Sequence, residues 1–227
     1  MLQEIRLEFH SHTSASKDSL TKPEELVKAC RAKGIDRIVV TDHNTIAGAL
    51  RAKALAPDLV IVGEEIMTLQ GELLAAFVSV EIPSGLDALA AIERLRDQGA
   101  FISVSHPFDE LRNGHWELED LERVAPLVDA IEIFNARVIR PEHNTRASAY
   151  ASERKLSGTV GSDAHTTREL GRAVQILPPF TDAEGLRMAL KNVRYEVRLS
   201  SPLIHLSSRY AVWRKKLARG GGASESL

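Results

Sequence analysis

The feature that most constrains this chain is a recurrence. Short apolar runs that read as strands alternate with segments that read as helices, and run after run stops on residues that bind metals. "EIRLEF" leads into His10 and His12, and "DRIVVTDH" ends on Asp42 and His43. "DLVIVGEEIM" carries Glu64 and Glu65, and "AFISVSHP" ends at His106. "DAIEIFNAR" holds Glu132 and Asn135, and "SGTVGSDAH" ends on Asp163 and His165. One histidine at a strand end means little, but the same placement at strand after strand is hard to ascribe to chance. Repeated strand–helix units imply a parallel sheet covered by helices. Barrels of parallel strands and open doubly wound sheets both place their sites at the strand C-termini.

The stretch "FHSHTSASKDS" shows the local logic. Side chains two apart on an extended segment point the same way. His10 and His12 can therefore clamp one ion, or they can be two polar residues where a strand stops; Asp18 follows shortly after. "KPEELVKACRAKG" reads as a helix, with Pro23 in its first turn, Glu24 and Glu25 at its N-terminus and Gly34 at its stop. "GLDALAAIERLRDQG" reads as a helix whose apolar face is Leu86, Leu89, Ala90, Ile92 and Leu95. "GELLAAFVSV" reads as a strand that follows its predecessor with no helix between them.

The 227 residues suit one domain with a small appendage, and 26% charged against 44% hydrophobic residues is an ordinary globular mix. A net charge of −2 gives no global pull toward nucleic acid or an anionic membrane. No apolar run is long enough to span a bilayer. The single Cys30 cannot form an internal disulfide, and the opening "MLQEIRLEFHSH" enters a strand without a signal-peptide layout. Both point to a reducing cytoplasm. The division expected is a catalytic unit over 1–205 and a basic C-terminal helix with a flexible tail over 206–227, which ends "RYAVWRKKLARGGGASESL".

The ordered set "FHSHTSASKDS", "GIDRIVVTDHNT", "IVGEEIM", "ISVSHP", "AIEIFNAR" and "VGSDAH" resembles the PHP superfamily, named for polymerase and histidinol phosphatase. The resemblance spans about residues 5 to 165. It implies an α/β fold, a distorted (β/α)7 barrel of TIM-like form, with two or three divalent metal ions at the strand C-terminal face. It implies His10 and His12 on one metal with Asp163, and Glu65 as a bridging carboxylate. It implies His106 on a second metal, and Asp18, His43 and His165 on a separate one. The chain departs from the family pattern twice. Glu8 stands where an aspartate is usual, and "GELLAAFVSV" lacks the histidine that many members use for the second metal, leaving Glu72 as a substitute.

Mixed imidazole and carboxylate donors suit zinc, manganese or iron. Two such cations activate a shared water and offset charge on a phosphate, so no serine or cysteine nucleophile is needed. Asp163, His165 and Glu65 are the expected catalytic groups, with Asp163 or His165 assisting proton transfer. Arg137 and Asn135 are expected to bind substrate, with Lys17 and Arg168 as further phosphate contacts. Asp42 is expected to orient His43, His143 to cap or lie on the surface, His115 to be a solvated loop residue and His205 to be structural. The activity expected is hydrolysis of a small phosphorylated metabolite or nucleotide. An amidohydrolase with the same metals, a nuclease and a non-catalytic metal-stabilised module are the alternatives. A ring of arginine or lysine around the metals favours phosphate, and an uncharged rim favours an amide. No extended basic stripe marks a site for long nucleic acid.

Overall fold

In the computed structural model, which describes residues 4–220, the alternating pattern closes on itself. The chain runs β1 (Ile5–Glu8), α1 (Pro23–Ala32), β2 (Arg37–Val40), α2 (Ala47–Leu55), β3 (Val60–Met67), β4 (Glu72–Ala76), α3 (Ala88–Asp97) and β5 (Phe101–Val104). It continues with α4 (Leu118–Val124), β6 (Ala130–Asn135), α5 (Glu142–Glu153), β7 (Ser157–Gly161), β8 (Ala173–Leu177), α6 (Ala183–Ala189), β9 (Arg194–Val197) and α7 (Ile204–Gly220). The strands neighbour one another in the order β7-β6-β5-β4-β3-β2-β1-β8-β9. Beyond β1 and β7, a parallel bridge joins Ser11 to Ala164. There His12 N donates to Ala164 O at 2.9 Å and Ala164 N donates to His10 O at 3.3 Å. The β1–β7 part of this nine-stranded sheet is thereby pinched into a nearly closed barrel at the end that carries the ligand-type residues.

Glu8 fastens the same seam from inside. Its fully buried carboxylate accepts hydrogen bonds from Ser162 N at 3.0 Å, Gly171 N at 3.0 Å and the Ser162 hydroxyl. Burial pushes its carboxyl up to about 7, against the pull of those donors. The glutamate that departs from the family motif thus ties β1 to the segment after β7.

The sheet is not uniformly parallel. β1, β2 and β3 run parallel, as do β5, β6 and β7, but β4 is antiparallel to both β3 and β5. Strands β8 and β9, which carry no clear signal in the sequence, pair antiparallel beyond β1. Every residue of β5 is buried, as expected of a strand covered on both faces. Its covering helix α3 is capped by Asp87, whose carboxylate accepts from Leu89 N at 2.9 Å. The helix buries Ala88, Ala91, Ile92 and Leu95, whereas Leu89, expected inside, is 37% exposed. Helix α1 buries Leu26, Val27 and Cys30 and ties Lys22 N to the Glu25 carboxylate at 3.1 Å.

Helix α7 begins at Ile204 and packs back on the barrel, where Lys215 Nζ donates to Ser14 O at 2.8 Å. The expected flexible end over 221–227 lies outside the described residues. No helix among the described residues is long and apolar enough to cross a membrane.

The Glu8 latch yields a stability prediction. Glu8→Ala leaves buried donors without partners, at a typical cost of about 1–3 kcal/mol for each such group. Equilibrium unfolding in denaturant should show a loss of at least about 2 kcal/mol. An unchanged midpoint and slope would remove the latch from the account.

Candidate metal centre

Five imidazoles and five carboxylates converge at the pinched end of the barrel: His10, His12, His43, His106 and His165 with Asp18, Glu65, Glu72, Glu132 and Asp163. The centre of the group is Glu65 on β3, fully buried. Its Oε1 lies 3.3 Å from His10 Nε2 and 3.3 Å from His106 Nε2, and its Oε2 lies 3.4 Å from His12 Nε2 and 3.0 Å from His43 Nδ1. Glu64, its neighbour, points the other way and accepts from Ile82 N at 2.9 Å, with burial raising its carboxyl to about 7. The period-two alternation of a strand separates the two.

Three groups offer donor atoms all within 4.8 Å of one another: His10, His12 and Asp163; His43, Glu65 and Glu72; and His12, His43 and His165. Asp18 joins the last group through its Oδ2, 3.2 Å from His165 Nε2 and 3.4 Å from His43 Nε2. His106 Nε2 flanks the second group, 3.5 Å from Glu72 Oε2.

Glu72 reaches this place because β4 runs backwards. In a parallel strand the last residues reach the rim; in reversed β4 the first residue does. Glu72 is buried there, paired with Met67 at the mouth of the β3–β4 hairpin. Burial and the charge of Glu65 raise its carboxyl, so a nearby cation would relieve it.

The chemistry of the donors fits divalent metal. Glu65 Oε2, Asp163 Oδ1, Asp18 Oδ1 and His106 Nδ1 are buried and have no hydrogen-bond partner. Such orphans are rare unless an ion or water satisfies them. The outer nitrogens of the histidines are anchored: His10 Nδ1 lies 2.9 Å from Glu132 Oε1, His12 Nδ1 3.1 Å from Ser16 Oγ, and His165 Nδ1 2.9 Å from Asp163 O. A carboxylate or carbonyl behind the ring fixes the tautomer and leaves Nε2 bare for a metal. Burial, with the charges of His165 and His43, lowers His12 to about 3, so its ring is neutral and ligand-ready at pH 7. Burial opposes ionisation of Asp163, but Arg112 and His10 hold it well below the usual range.

Backbone strain accompanies these positions. Asp163 has φ 51° and His106 φ 20°, left-handed values that non-glycine residues seldom adopt. Gly161 leaves the space: a Cβ there would lie 2.4 Å from His10 Cβ and 2.5 Å from Glu132 Oε1.

Several placements differ from expectation. Asp42 does not contact His43 through its side chain; it accepts from Thr13 N at 2.7 Å, Thr13 Oγ1 at 2.6 Å and Ser16 Oγ at 2.6 Å. It therefore shapes the loop whose Ser16 meets both His12 Nδ1 and His43 N. His143 is not on the surface: it is 4% exposed and pairs with Asp109 at 3.1 Å. His205 lies on α7 beside the cavity and contacts Arg137 O at 3.1 Å. Half-buried His115 contacts Arg112 O at 2.7 Å, while Arg168 gives its carbonyl to Lys33 at 3.1 Å. Asn135 Nδ2 donates to Glu132 and Asp163, both at 3.2 Å, so its amide holds the ligand carboxylates in place. Arg137 is 4% exposed; it pairs with Glu169 at 3.3 Å and donates to Ser208 Oγ at 2.8 Å and Asp163 O at 3.3 Å. A phosphate reaches Arg137 only by displacing one of these partners.

Arg112 escaped the sequence reading. It donates to Asp163 Oδ2 at 2.6 Å and to Asp109 Oδ2 at 3.0 Å. Its loop has no periodicity to flag it. Lys17, Asp18, His43, Glu72, Arg112, Arg137 and Arg209 are among the walls of a cavity of about 630 Å³ over the cluster.

Comparison with known proteins agrees with this architecture. Residues 8–98 match the PHP domain family and residues 141–195 the PHP-associated family. The uncharacterized protein MJ0417 of Methanocaldococcus jannaschii is 34% identical over 172 residues, covering 74% of this chain and 69% of that protein. Among solved structures, a two-domain protein from Bacteroides vulgatus, described as containing a predicted PHP-like metal-dependent phosphoesterase, superposes with TM-score 0.68 at 22% identity. The match covers 87% of this chain and 66% of that one, so this chain spans just under two thirds of its length. PsfC from Pseudomonas syringae superposes with TM-score 0.69 at 17% identity over 95% of this chain and 100% of that one. The chain belongs to the PHP superfamily, and its barrel is that of the family's metal-dependent phosphoesterase-like proteins.

Two measurements follow. Protein incubated with zinc or manganese and freed of excess should hold at least two ions per chain by elemental analysis; less than one would contradict the cluster. Gly161→Ala should fold but lose metal, because its methyl displaces the His10–Glu132 contact. Wild-type metal content in that variant would show that the contact does not position His10.

Proposed function

We propose that this protein is a divalent-metal-dependent phosphoesterase acting on a small phosphorylated metabolite or nucleotide. One observation carries the reading: the donor clusters around Glu65 lie beside a cavity whose walls include Lys17, Arg112, Arg137 and Arg209. A cationic wall suits a phosphate ester and is superfluous for a neutral amide, which disfavours the amidohydrolase alternative. Cavity size favours a small substrate over a duplex.

In this reading His10, His12 and Asp163 would hold one cation, Glu72 and His106 a second, and Asp18 and His165 a third; Glu65 would be a ligand common to the first two, and His43 would serve beside the others. When bound, zinc, manganese or iron supplies an activated water and charge for the phosphate oxygens. The protein's own groups do the rest. Glu132, Ser16 and the Asp163 carbonyl orient the histidine rings. Asp163, held ionised against burial by Arg112 and His10, would take up the proton of the attacking water, and His165 serves as a ligand. Lys17, exposed and facing the cavity, meets the phosphate, and Arg137 joins it by exchanging the Ser208 hydroxyl for a substrate oxygen. A reducing cytoplasm fits the lone, buried Cys30.

The test is a turnover screen of phosphate monoesters and amides on the metal-loaded chain. Phosphate release should vanish on chelation and return with added metal. Glu65→Gln should lower kcat by several orders of magnitude and reduce bound metal, whereas Glu64→Gln should retain most activity. Turnover of an amide and of no phosphate ester would replace this reading with the amidohydrolase one. Equal behaviour of the two variants would remove Glu65 from the bridging position.

A further inference from the structure

Helix α7 lies beyond both segments that match the family, yet it crosses the mouth of the metal-site cavity. Lys215 Nζ reaches the carbonyls of Ser14 and Ser16, His205 meets Arg137 O, and Ser208 Oγ accepts from Arg137. These contacts anchor the helix over the loop that carries Asp18. A second cavity of about 440 Å³ adjoins the first, and Asp18, Ser208 and Arg209 line both. Its other walls are Val212, Trp213 and Lys216.

Arg209, Val212, Trp213 and Lys216 have the spacing i, i+3, i+4, i+7, which puts them on one helical face. Arg209 stands at the junction with the metal-site cavity, and Lys216 lies two turns further on, about 10 Å along the axis. Between them the indole of Trp213 is 56% exposed. Arg209 and Lys216 make no ion pair with any described acidic group. Their face therefore offers a flat apolar surface with a cation at each end, continuous with the cleft above the metal cluster.

We propose that this face is a leaving-group subsite, which takes a planar ring against Trp213 and a second negative charge at Lys216 while the scissile phosphate lies beyond Asp18. The proposal rests on the phosphoesterase reading and narrows its substrate class. The substrate is an ester whose leaving group carries both a planar ring and a second anionic group, as a carboxyl-substituted aryl phosphate does. Arg209, at the junction, faces the negative charge between ring and metals. A small sugar phosphate fills the first cavity alone and leaves the indole uncovered.

The test uses the metal-loaded full chain and three esters: glycerol phosphate, phenyl phosphate and 4-carboxyphenyl phosphate. Trp213→Ala should lower kcat/KM for both aryl esters about tenfold, the scale of a lost ring-stacking contact, and leave glycerol phosphate within about twofold. Lys216→Ala should lower 4-carboxyphenyl phosphate several-fold and spare phenyl phosphate. Leu206→Ala, at a 60% exposed position outside this cavity, should change none of them. Equal losses on all three esters, or no aryl-specific loss, would overturn the subsite. So would equal effects of Trp213→Ala and Leu206→Ala, which would mark α7 as a face for self-association or lipid. Failure of the wild type to cleave any ester would sink the phosphoesterase reading by itself. The subsite is then judged by binding of 4-carboxyphenyl phosphonate, followed as quenching of tryptophan fluorescence. The chain has two tryptophans, and Trp116 is buried. Saturable quenching that disappears in Trp213→Phe supports the subsite, and its absence in the wild type overturns it.

Discussion

A fully buried carboxylate facing four histidines is the constraint around which this molecule is arranged. Removing a charge from water costs several kcal/mol unless partners repay it. Among the described residues no lysine or arginine forms an ion pair with Glu65, and its Oε2 accepts no hydrogen bond. Asp163 and Glu72 add further carboxylates; against the opposing effect of burial, the charge of Glu65 helps raise His10 and His43 well above the ordinary imidazole value, while burial lowers His12 to about 3. The balance therefore calls for cations. Divalent ions between these donors would satisfy the orphaned oxygens and stabilise the pocket.

Positioning that pocket explains the departures from a regular barrel. A uniformly parallel barrel brings only the ends of its strands to the rim. Reversing β4 brings its beginning there, and with it Glu72. The short hairpin between Met67 and Glu72 keeps that carboxylate near Glu65 without a crossover helix. The seam between β1 and β7 is closed by the Ser11–Ala164 bridge and by Glu8, so His10, His12, Asp163 and His165 meet across it. The left-handed backbone at Asp163 is held by this closure, with Arg112 and Asn135 gripping the carboxylate from the other side.

Much of this was legible in the chain. Apolar runs ending on histidine and carboxylate located the strand ends, and period-two alternation separated Glu65 from Glu64. The rest depended on tertiary context. Helical spacing alone could not decide that Leu89 faces solvent while Ala88 and Ala91 face the core. Strand β8 was hidden because the buried Gln175 interrupts its apolar run, and β9 because it is an exposed edge strand rich in charge. Arg112, Asp109 and His143 meet through an irregular loop after β5, where no period predicts neighbours. Asp42 looked like a support for His43 by adjacency, but chain neighbours on an extended segment diverge. Its oxygens went to the Thr13–Ser16 turn instead.

The central claim is that Glu65 joins two metal ions. Electron paramagnetic resonance of the manganese-loaded chain addresses it most directly, because ions sharing a carboxylate are close enough to couple magnetically. At full loading the account predicts the broad, temperature-dependent spectrum of a coupled pair, collapsing in Glu65→Gln to the six-line pattern of isolated manganese. A six-line spectrum from the fully loaded wild type would mean that its ions are magnetically isolated, and the bridging role of Glu65 would be contradicted.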